Sequence, residues 1–447
     1  MERSSLLYYE QKTAFTINAY NEQALYYLAE RVGTPYYLID ERALRANYEK
    51  LKSAYSGFNG RTVIAYSIKA NFNPYILNFY SGIGINFDVT SPEELYFLLK
   101  SGGNPEKVIY TSVTEGLNEY KEILSKGVKR VIVSSLNGLN NLISAAHELN
   151  KVPEVGVRIN PEVQVKAEVK SSFKISKFGV PLSGSSSETA IKLLKIIEGN
   201  NNVVFGGFHF HLGSQIEDPS AYVQAFDKLR AFLKKAKKET DYELKFLDIG
   251  GGTPVNYGIK VPTPEEIGMQ NVDKMNELIN ETGKQFELVV ESGRFLSAES
   301  TMLVSKIVNS KFYNSRKIIY LDTGYHQLLD IALLQQIYPM EVIPTDDTAN
   351  SQDEKPLVAG RLCDSMDMFQ VGPESKLSDA DIGKLVVIKN VGAYSIVFNM
   401  PFHSQVKPAV IYRDEDGEYF LARKKQTVED LYEEEGGSLL NNEVRLT

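Results

Sequence analysis

The chain of 447 residues has one cysteine, Cys363, no tryptophan and five histidines. A lone cysteine excludes an intrachain disulfide framework and a multi-cysteine structural zinc site. No run approaches the roughly 18 apolar residues that a membrane span needs. The N-terminus, Met1-Glu2-Arg3-Ser4-Ser5-Leu6-Leu7, has neither the apolar core nor the cleavage signature of a secretory signal. A cytoplasmic location with no membrane partner is therefore the expectation. Positive charge is in deficit: 49 Lys and Arg against 57 Asp and Glu give a net charge of -8 and a pI near 5.5. That balance argues against nucleic acid as a partner and for a small molecule. No dinucleotide-type glycine fingerprint follows any candidate strand, which disfavours an open doubly wound sheet.

What is present is enough apolar material, 43% of residues, for more than one core in a chain of this length. From about residue 36 to 295, short apolar runs alternate with amphipathic stretches. Thr62 to Ala65 precedes Asn73 to Ser81, Val108 to Tyr110 precedes Leu117 to Ser125, and Arg130 to Val133 precedes Leu139 to Leu149. The series continues at Val155 to Ile159, Val204 to His209, Leu244 to Ile249 and Leu288 to Glu291. About eight β/α units in about 250 residues predict a (β/α)8 TIM barrel over 36–295. After about residue 296 the runs Met302 to Val308, Lys317 to Leu321, Lys384 to Lys389, Ala409 to Arg413 and Tyr419 to Arg423 read as strands of a mainly β domain, 296–447, which residues 1–35 would join. The polar, acidic segments Thr345 to Lys355 and Glu429 to Asn442 read as solvated loops or tail.

Several polar residues lie just after apolar runs, where a barrel builds its active site. Lys69 follows a strand and is flanked by Ile68 and Ala70. A buried ammonium there is costly, and a covalent link to an aldehyde cofactor would resolve the cost; the alternative is a lysine snorkelling from a strand end. Gly250-Gly251-Gly252 would let backbone amides approach an anion, with a following helix N-terminus adding its dipole, or it marks a simple turn. Glu291 follows the apolar run Phe286 to Val290 and reads either as a buried functional carboxylate or as half of a surface pair with Arg294. Taken singly, His211 is a core or surface strand histidine. Cys363 on its own reads as a small apolar residue, a reading weakened by its neighbours Arg361, Asp364 and Asp367.

The ordered set carries more than its parts. Lys69 lies in Ala65-Tyr66-Ser67-Ile68-Lys69-Ala70-Asn71-Phe72-Asn73-Pro74. There follow His209-Phe210-His211-Leu212-Gly213-Ser214-Gln215, Asp248-Ile249-Gly250-Gly251-Gly252-Thr253-Pro254, Glu291-Ser292-Gly293-Arg294, Gly360-Arg361-Leu362-Cys363-Asp364-Ser365-Met366-Asp367 and Gly392-Ala393-Tyr394. Over roughly residues 35 to 425 this resembles the fold-type III decarboxylases, the family of diaminopimelate and eukaryotic ornithine decarboxylases. The resemblance implies pyridoxal 5'-phosphate as cofactor, an amino acid as substrate, no metal, and a homodimer with shared active sites. It implies Lys69 as the cofactor anchor, and Gly250, Gly251, Gly252, Ser214, Arg294 and Tyr394 around the phosphate. His211 would stack on the ring, Glu291 would hold a proton on the ring nitrogen, and Asp88 and Arg158 would lie near the cofactor. Cys363 and Asp364 would enter from the second subunit, Cys363 protonating Cα after carbon dioxide leaves. Alanine racemase shares the barrel but places an arginine near the ring nitrogen, so Glu291 favours decarboxylation over racemisation; an inactive regulatory homologue is a further alternative.

The pattern departs from diaminopimelate decarboxylases in one stretch, Asp322-Thr323-Gly324-Tyr325-His326-Gln327-Leu328-Leu329-Asp330-Ile331-Ala332-Leu333-Leu334. Asp330 stands where that family has an arginine for the distal carboxylate, and Leu334 where it has a tyrosine. The family's Cys-Glu pair is Cys363-Asp364 here. A carboxylate facing a carboxylate repels it. Asp330 would instead pair with a distal amine or line an enlarged pocket. The expectation is a specialised decarboxylase for an ornithine-like or conjugated diamino acid, as in siderophore and antibiotic pathways, with meso-diaminopimelate as the alternative.

Overall fold

The structure is a computed structural model that describes residues 21–182, 184, 188–344 and 355–440. It divides into two compact units: residues 45–255 with 260–296, and the described parts of 1–44, 256–259 and 297–447.

The first unit is an eight-stranded parallel barrel. Its strands are β1 (Arg61–Ser67), β2 (Asn86–Val89), β3 (Val108–Thr111), β4 (Arg130–Val133), β5 (Glu154–Asn160), β6 (Val204–His209), β7 (Phe246–Asp248) and β8 (Glu287–Ser292). Each pairs in parallel with its neighbours in chain order; β8 pairs with β1, and the chain order alone therefore closes the ring. Valine and isoleucine dominate these strands, as a pleated surface buried on both sides requires. Four of the intervening helices begin on these capping side chains: Asn73 for Pro74–Gly82, Ser91 for Pro92–Lys100, Ser135 for Leu136–Leu149 and Thr263 for Pro264–Thr282. Each cap satisfies a backbone N–H that the first turn leaves without a partner.

Val63, Ala65, Ile109, Ile132, Phe246 and Val289 fill the barrel interior. Phe246 fits because Gly156 and Gly207 stand beside it; a Cβ at Gly156 would lie 2.9 Å from its ring, and one at Gly207 would overlap its carbonyl. At the N-terminal ends of the strands, Arg130 reaches Glu154 and Glu287 at 2.7 Å each and lies 4.2 Å over the Phe246 ring. A cavity of about 580 Å³ opens at this end, lined by Arg61, Arg130, Glu154 and Glu287 among others. Arg61 and Arg130 are paired there with Glu154 and Glu287, and the cavity lies at the opposite end of the strands from the residues expected to do chemistry.

The second unit is mainly β. Tyr36–Asp40 pairs antiparallel with Thr301–Tyr313 and parallel with Ala409–Arg413. Leu385–Ile388 lies between Thr301–Tyr313 and Met340–Ile343, antiparallel to both. The core joins Tyr36, Leu38, Val304, Ile343, Leu385, Val387 and Ile411 to Leu25 and Leu28 of the helix Glu22–Val32. Residues 36–40 therefore belong to this sheet and not to the barrel, and the non-strand segment 256–259 groups with this unit by its packing. The apolar run at Tyr36 is buried on both faces, and such a run carries no periodicity that tells which sheet it joins.

The acidic stretch from Glu429 is not a loop: Val428–Glu434 is a helix started by a Thr427/Asp430 capping box, followed by a 3-10 turn at Gly437–Leu439. Residues 1–20, 345–354 and 441–442 of the segments read above lie outside the described residues. Among the described residues, no helix is long and apolar enough to cross a membrane.

Candidate active site

The polar residues of the barrel gather at the C-terminal ends of its strands. Lys69 sits in the single 3-10 turn Ile68–Ala70 directly after β1. Its neighbours Ile68 and Ala70 are fully buried, but its own side chain is 43% exposed. The expected buried ammonium is thus a half-exposed one, whose Nζ lies 2.7 Å from Oδ2 of Asp88, a residue 1% exposed at the end of β2. Burial pushes the Asp88 carboxyl up, Glu291 adds to the rise, and the Lys69 charge opposes it.

Register places three groups at one level. Arg158 of β5 is opposite His209 of β6, which is opposite Asp248 of β7. Glu291 of β8 brings Oε1 to 3.4 Å from His209 Nε2, and one ligating atom from each of His209, Asp248 and Glu291 falls within 4.8 Å of the others. All three are buried. Burial holds the His209 imidazole well below its ordinary pKa, and the Arg158 charge pushes the same way, so the ring is neutral. Asp248 is held well above the usual carboxyl range by burial and then by the Glu291 charge, although Oδ1 accepts the Gly250 N–H at 2.9 Å. Burial also raises Glu291, against the charges of Lys69 and Arg158 and a hydrogen bond with Asp248. Burial thus favours the protonated form of both carboxyls, more strongly for Asp248 than for Glu291.

Arg158 completes this level. Its guanidinium is buried, lies 4.5 Å over the Phe178 ring, and keeps its charge beside Glu291, Asp88 and Asp248.

His211, two residues beyond His209 and so on the same face, accepts the Gly251 N–H at Nδ1, 3.0 Å away. That bond puts the ring proton on Nε2. Burial, then the Lys69 charge, holds the ring neutral. The glycine run is required by space. Gly250 (φ 65°) and Gly252 (φ 126°) have positive φ. A Cβ would come within 2.6 Å of the Phe210 carbonyl at Gly250 and 2.7 Å of the Gly213 carbonyl at Gly252. The run closes on β8 through the Glu291 N–H, which donates to the Gly250 carbonyl at 3.0 Å. No helix follows it directly; the next begins at Pro264, so the expected helix dipole is absent from the cradle.

Arg294 opens the short helix Arg294–Ser297, and its Nε donates to Ser214 Oγ at 3.3 Å. Its Nη2 lies 3.6 Å from Glu168 on the strand Ala167–Lys170, which pairs antiparallel with Gly213–Ile216. Nothing in the sequence pattern marks Glu168. His209 and Asp248 carried a signal that the reading above did not use, namely a polar side chain closing an apolar strand.

The remaining expected residues belong to the β unit. Cys363 is exposed, with its N–H directed to His403 Nδ1 at 3.4 Å. Asp364 Oδ2 accepts the Tyr325 hydroxyl at 3.0 Å. Asp330, the first residue of the helix Asp330–Leu334, is 5% exposed. Tyr394 has φ 58° and stacks against Phe398 with ring centroids 6.4 Å apart.

A family model described as "Pyridoxal-dependent decarboxylase, pyridoxal binding domain" matches residues 42–298, more than half of the chain. The chain belongs to the pyridoxal-dependent decarboxylases. Among relatives of this decarboxylase, the diaminopimelate decarboxylase of Haemophilus influenzae is 28% identical over 408 residues, covering 91% of this chain and 94% of that one. The diaminopimelate decarboxylase of Methanothermobacter thermautotrophicus is 29% identical over 416 residues, 90% and 92% of the two chains. The crystal structure of the M. jannaschii diaminopimelate decarboxylase in complex with L-lysine superposes with a TM-score of 0.82 at 25% identity, covering 92% of this chain and 94% of that one.

The decarboxylase is a pyridoxal phosphate-dependent amino-acid decarboxylase, and the residues present fit that cofactor. Lys69 offers a primary amine open enough to meet an aldehyde. The glycine run leaves no room for side chains and so brings its backbone close to its surroundings, and Arg294 and Ser214 offer a cation and a hydroxyl on nearby segments. Glu291 Oε1 is buried without a hydrogen-bond donor, the acceptor that a protonated ring nitrogen requires.

Proposed function

We propose that the enzyme removes the α-carboxylate at one end of meso-diaminopimelate, leaving lysine and carbon dioxide. The observation that carries this reading is the similarity to diaminopimelate decarboxylases across nine-tenths of both chains. The ornithine-like or conjugated substrate expected from the sequence has no such support, and the siderophore and antibiotic connection has none either. One observation favours a diamino acid without a distal carboxylate: Asp330 stands where an arginine would meet that carboxylate.

Pyridoxal phosphate, when bound, supplies an electron sink for the pair left behind by the departing carboxylate. The chain's own residues do the rest. Lys69 anchors the cofactor covalently between turnovers, and Asp88 orients the lysine amine whenever it is released. Backbone amides of Gly250, Gly251 and Gly252 bind the phosphate with Arg294, Ser214 and Tyr394. Neutral His211, its Nδ1 fixed by Gly251, lies against the ring face. Glu291 keeps a proton on the ring nitrogen, and the proton on Asp248 keeps Glu291 ionised for that task. Arg158 balances the remaining negative charge. Cys363 delivers a proton to Cα, Asp364 contacts the substrate, and Asp330 meets its distal amine. In this reading Cys363 serves the barrel of a second copy, and the active enzyme is a homodimer.

Carbon dioxide release from a panel of meso-diaminopimelate, L-ornithine, L-lysine and citryl-conjugated diamino acids tests the substrate. Release from meso-diaminopimelate is the expected result. Release only from a substrate lacking the distal carboxylate would overturn it in favour of the Asp330 reading.

A further inference from the structure

The loop that carries Cys363 is tied down by a carboxylate to which nothing above gives a role. Asp367 is 2% exposed, accepts the Leu362 N–H at Oδ2 (2.7 Å) and accepts the Tyr325 N–H at Oδ1 (2.8 Å). Its backbone closes the same loop: its carbonyl accepts the Gly360 N–H at 2.9 Å, and its N–H donates to the Asp364 carbonyl at 3.2 Å. Asp364 is held in turn, with Met366 N–H on Oδ1 at 2.8 Å and the Tyr325 hydroxyl on Oδ2 at 3.0 Å. A second strut is the Arg361 N–H on the Thr323 carbonyl at 2.9 Å.

The pocket around Asp367 accepts a carboxylate and little else. Gly324 and Gly360 face it, and a Cβ at Gly324 would lie 2.5 Å from Oδ2. Both groups that it binds by its side chain are backbone donors, so both of its oxygens must accept. An asparagine there would turn an N–H2 group towards one of them. Asp367 thus joins two segments, 323–325 and 360–362, that are far apart in sequence, and Cys363 and Asp364 project from the span between its own anchors.

We propose that Asp367 is the positioning residue for Cys363: it clamps the Cys363 loop to the Gly324–Tyr325 turn and so fixes where the thiol proton is delivered. This inference rests on the reading of Cys363 as the proton donor. A donor displaced by about an ångström loses on the order of 100-fold in rate, whereas substrate binding elsewhere is untouched.

The test uses the holoenzyme and exploits Cys363 being the only thiol in the chain. Asp367→Asn should lower kcat by about 10- to 100-fold with KM within about twofold, leave the cofactor absorbance in place, and change the alkylation rate of Cys363 by iodoacetamide. In a Cys363→Ala background, the same Asp367→Asn change should cost no further kcat. Equal losses in both backgrounds, or unchanged kcat and unchanged alkylation, would overturn the clamp. If Cys363→Ala alone keeps full turnover, the proton-donor reading fails. The alkylation rate then judges the clamp by itself: a shift supports it and constancy overturns it. Should Asp367→Asn not fold, Gly360→Ala presses a methyl group against the same carboxylate and must reproduce the kcat loss and the altered alkylation; an unaffected Gly360→Ala enzyme would count against the clamp.

Discussion

Lys69 and Asp88 form an ion pair of unequal partners: 2.7 Å apart, the lysine is 43% exposed and the aspartate 1%. The aspartate has given up its water and depends on the lysine for its charge, whereas the lysine stays within reach of an incoming aldehyde. Lys69→Ala should abolish covalent retention of the cofactor, measured as loss of borohydride-fixed cofactor, and reduce turnover by about 1,000-fold or more. Cofactor still fixed to the variant would place the anchor elsewhere.

The Asp248–Glu291 pair predicts opposite behaviour for two substitutions. The hydrogen bond from Asp248 lowers the Glu291 pKa against the effect of burial. Asp248→Ala removes that donor, so Glu291 takes up a proton at higher pH and the acid limb of the kcat/KM profile moves up. Asp248→Asn keeps a donor and should leave the limb where it is. A limb that moves equally in both variants would show that the hydrogen bond from Asp248 does not act in this way.

His326 gives a pH-dependent stability with a definite sign. Burial, with the Arg361 and His403 charges, lowers its pKa to about 4 from 6.5, and both ring nitrogens are buried without partners. The unfolded chain therefore binds more protons than the folded one between those values. The stability that this histidine leaves intact above pH 6.5 is lost as pH falls towards 4, by about 3 kcal/mol. His326→Phe should flatten this part of the acid limb when urea midpoints are compared at pH 7 and pH 4; parallel curves would refute it.

At the opposite end of the barrel, Arg130 lies between two carboxylates, Glu154 and Glu287, and all three are largely buried. Arg130→Met removes the cation that the two acids share, leaving Arg61 on Glu287 and Lys245 on Glu154, and should destabilise the protein by about 2 kcal/mol. Activity per folded molecule should be unchanged, since no residue of the site touches this end. Urea unfolding alongside turnover per bound cofactor checks both halves of the statement.

The sequence by itself determined the barrel through alternating β and α runs, and the strands of the β unit through their short apolar stretches. It also determined the chemistry on offer, because Lys69, the glycine run, Glu291 and Cys363 each stand directly after an apolar run or within a polar turn. Tertiary structure alone decided the partners. Tyr36–Asp40 joined the β sheet because the backbone of Thr301–Tyr313 and Ala409–Arg413 stood ready to bond it, and local pattern carries no information about strands about 260 and about 370 residues away. Arg158, His209 and Asp248 meet at one level because parallel register aligns residues from three strands. The raised pKa of Asp248 and of Glu291 follows from the same packing, since burial side by side penalises both charges. Asp367 became a clamp in the same way. Its hydrogen-bond donors lie on two turns that only folding brings together, and a polar residue in a polar segment gives no sign beforehand that it will be buried.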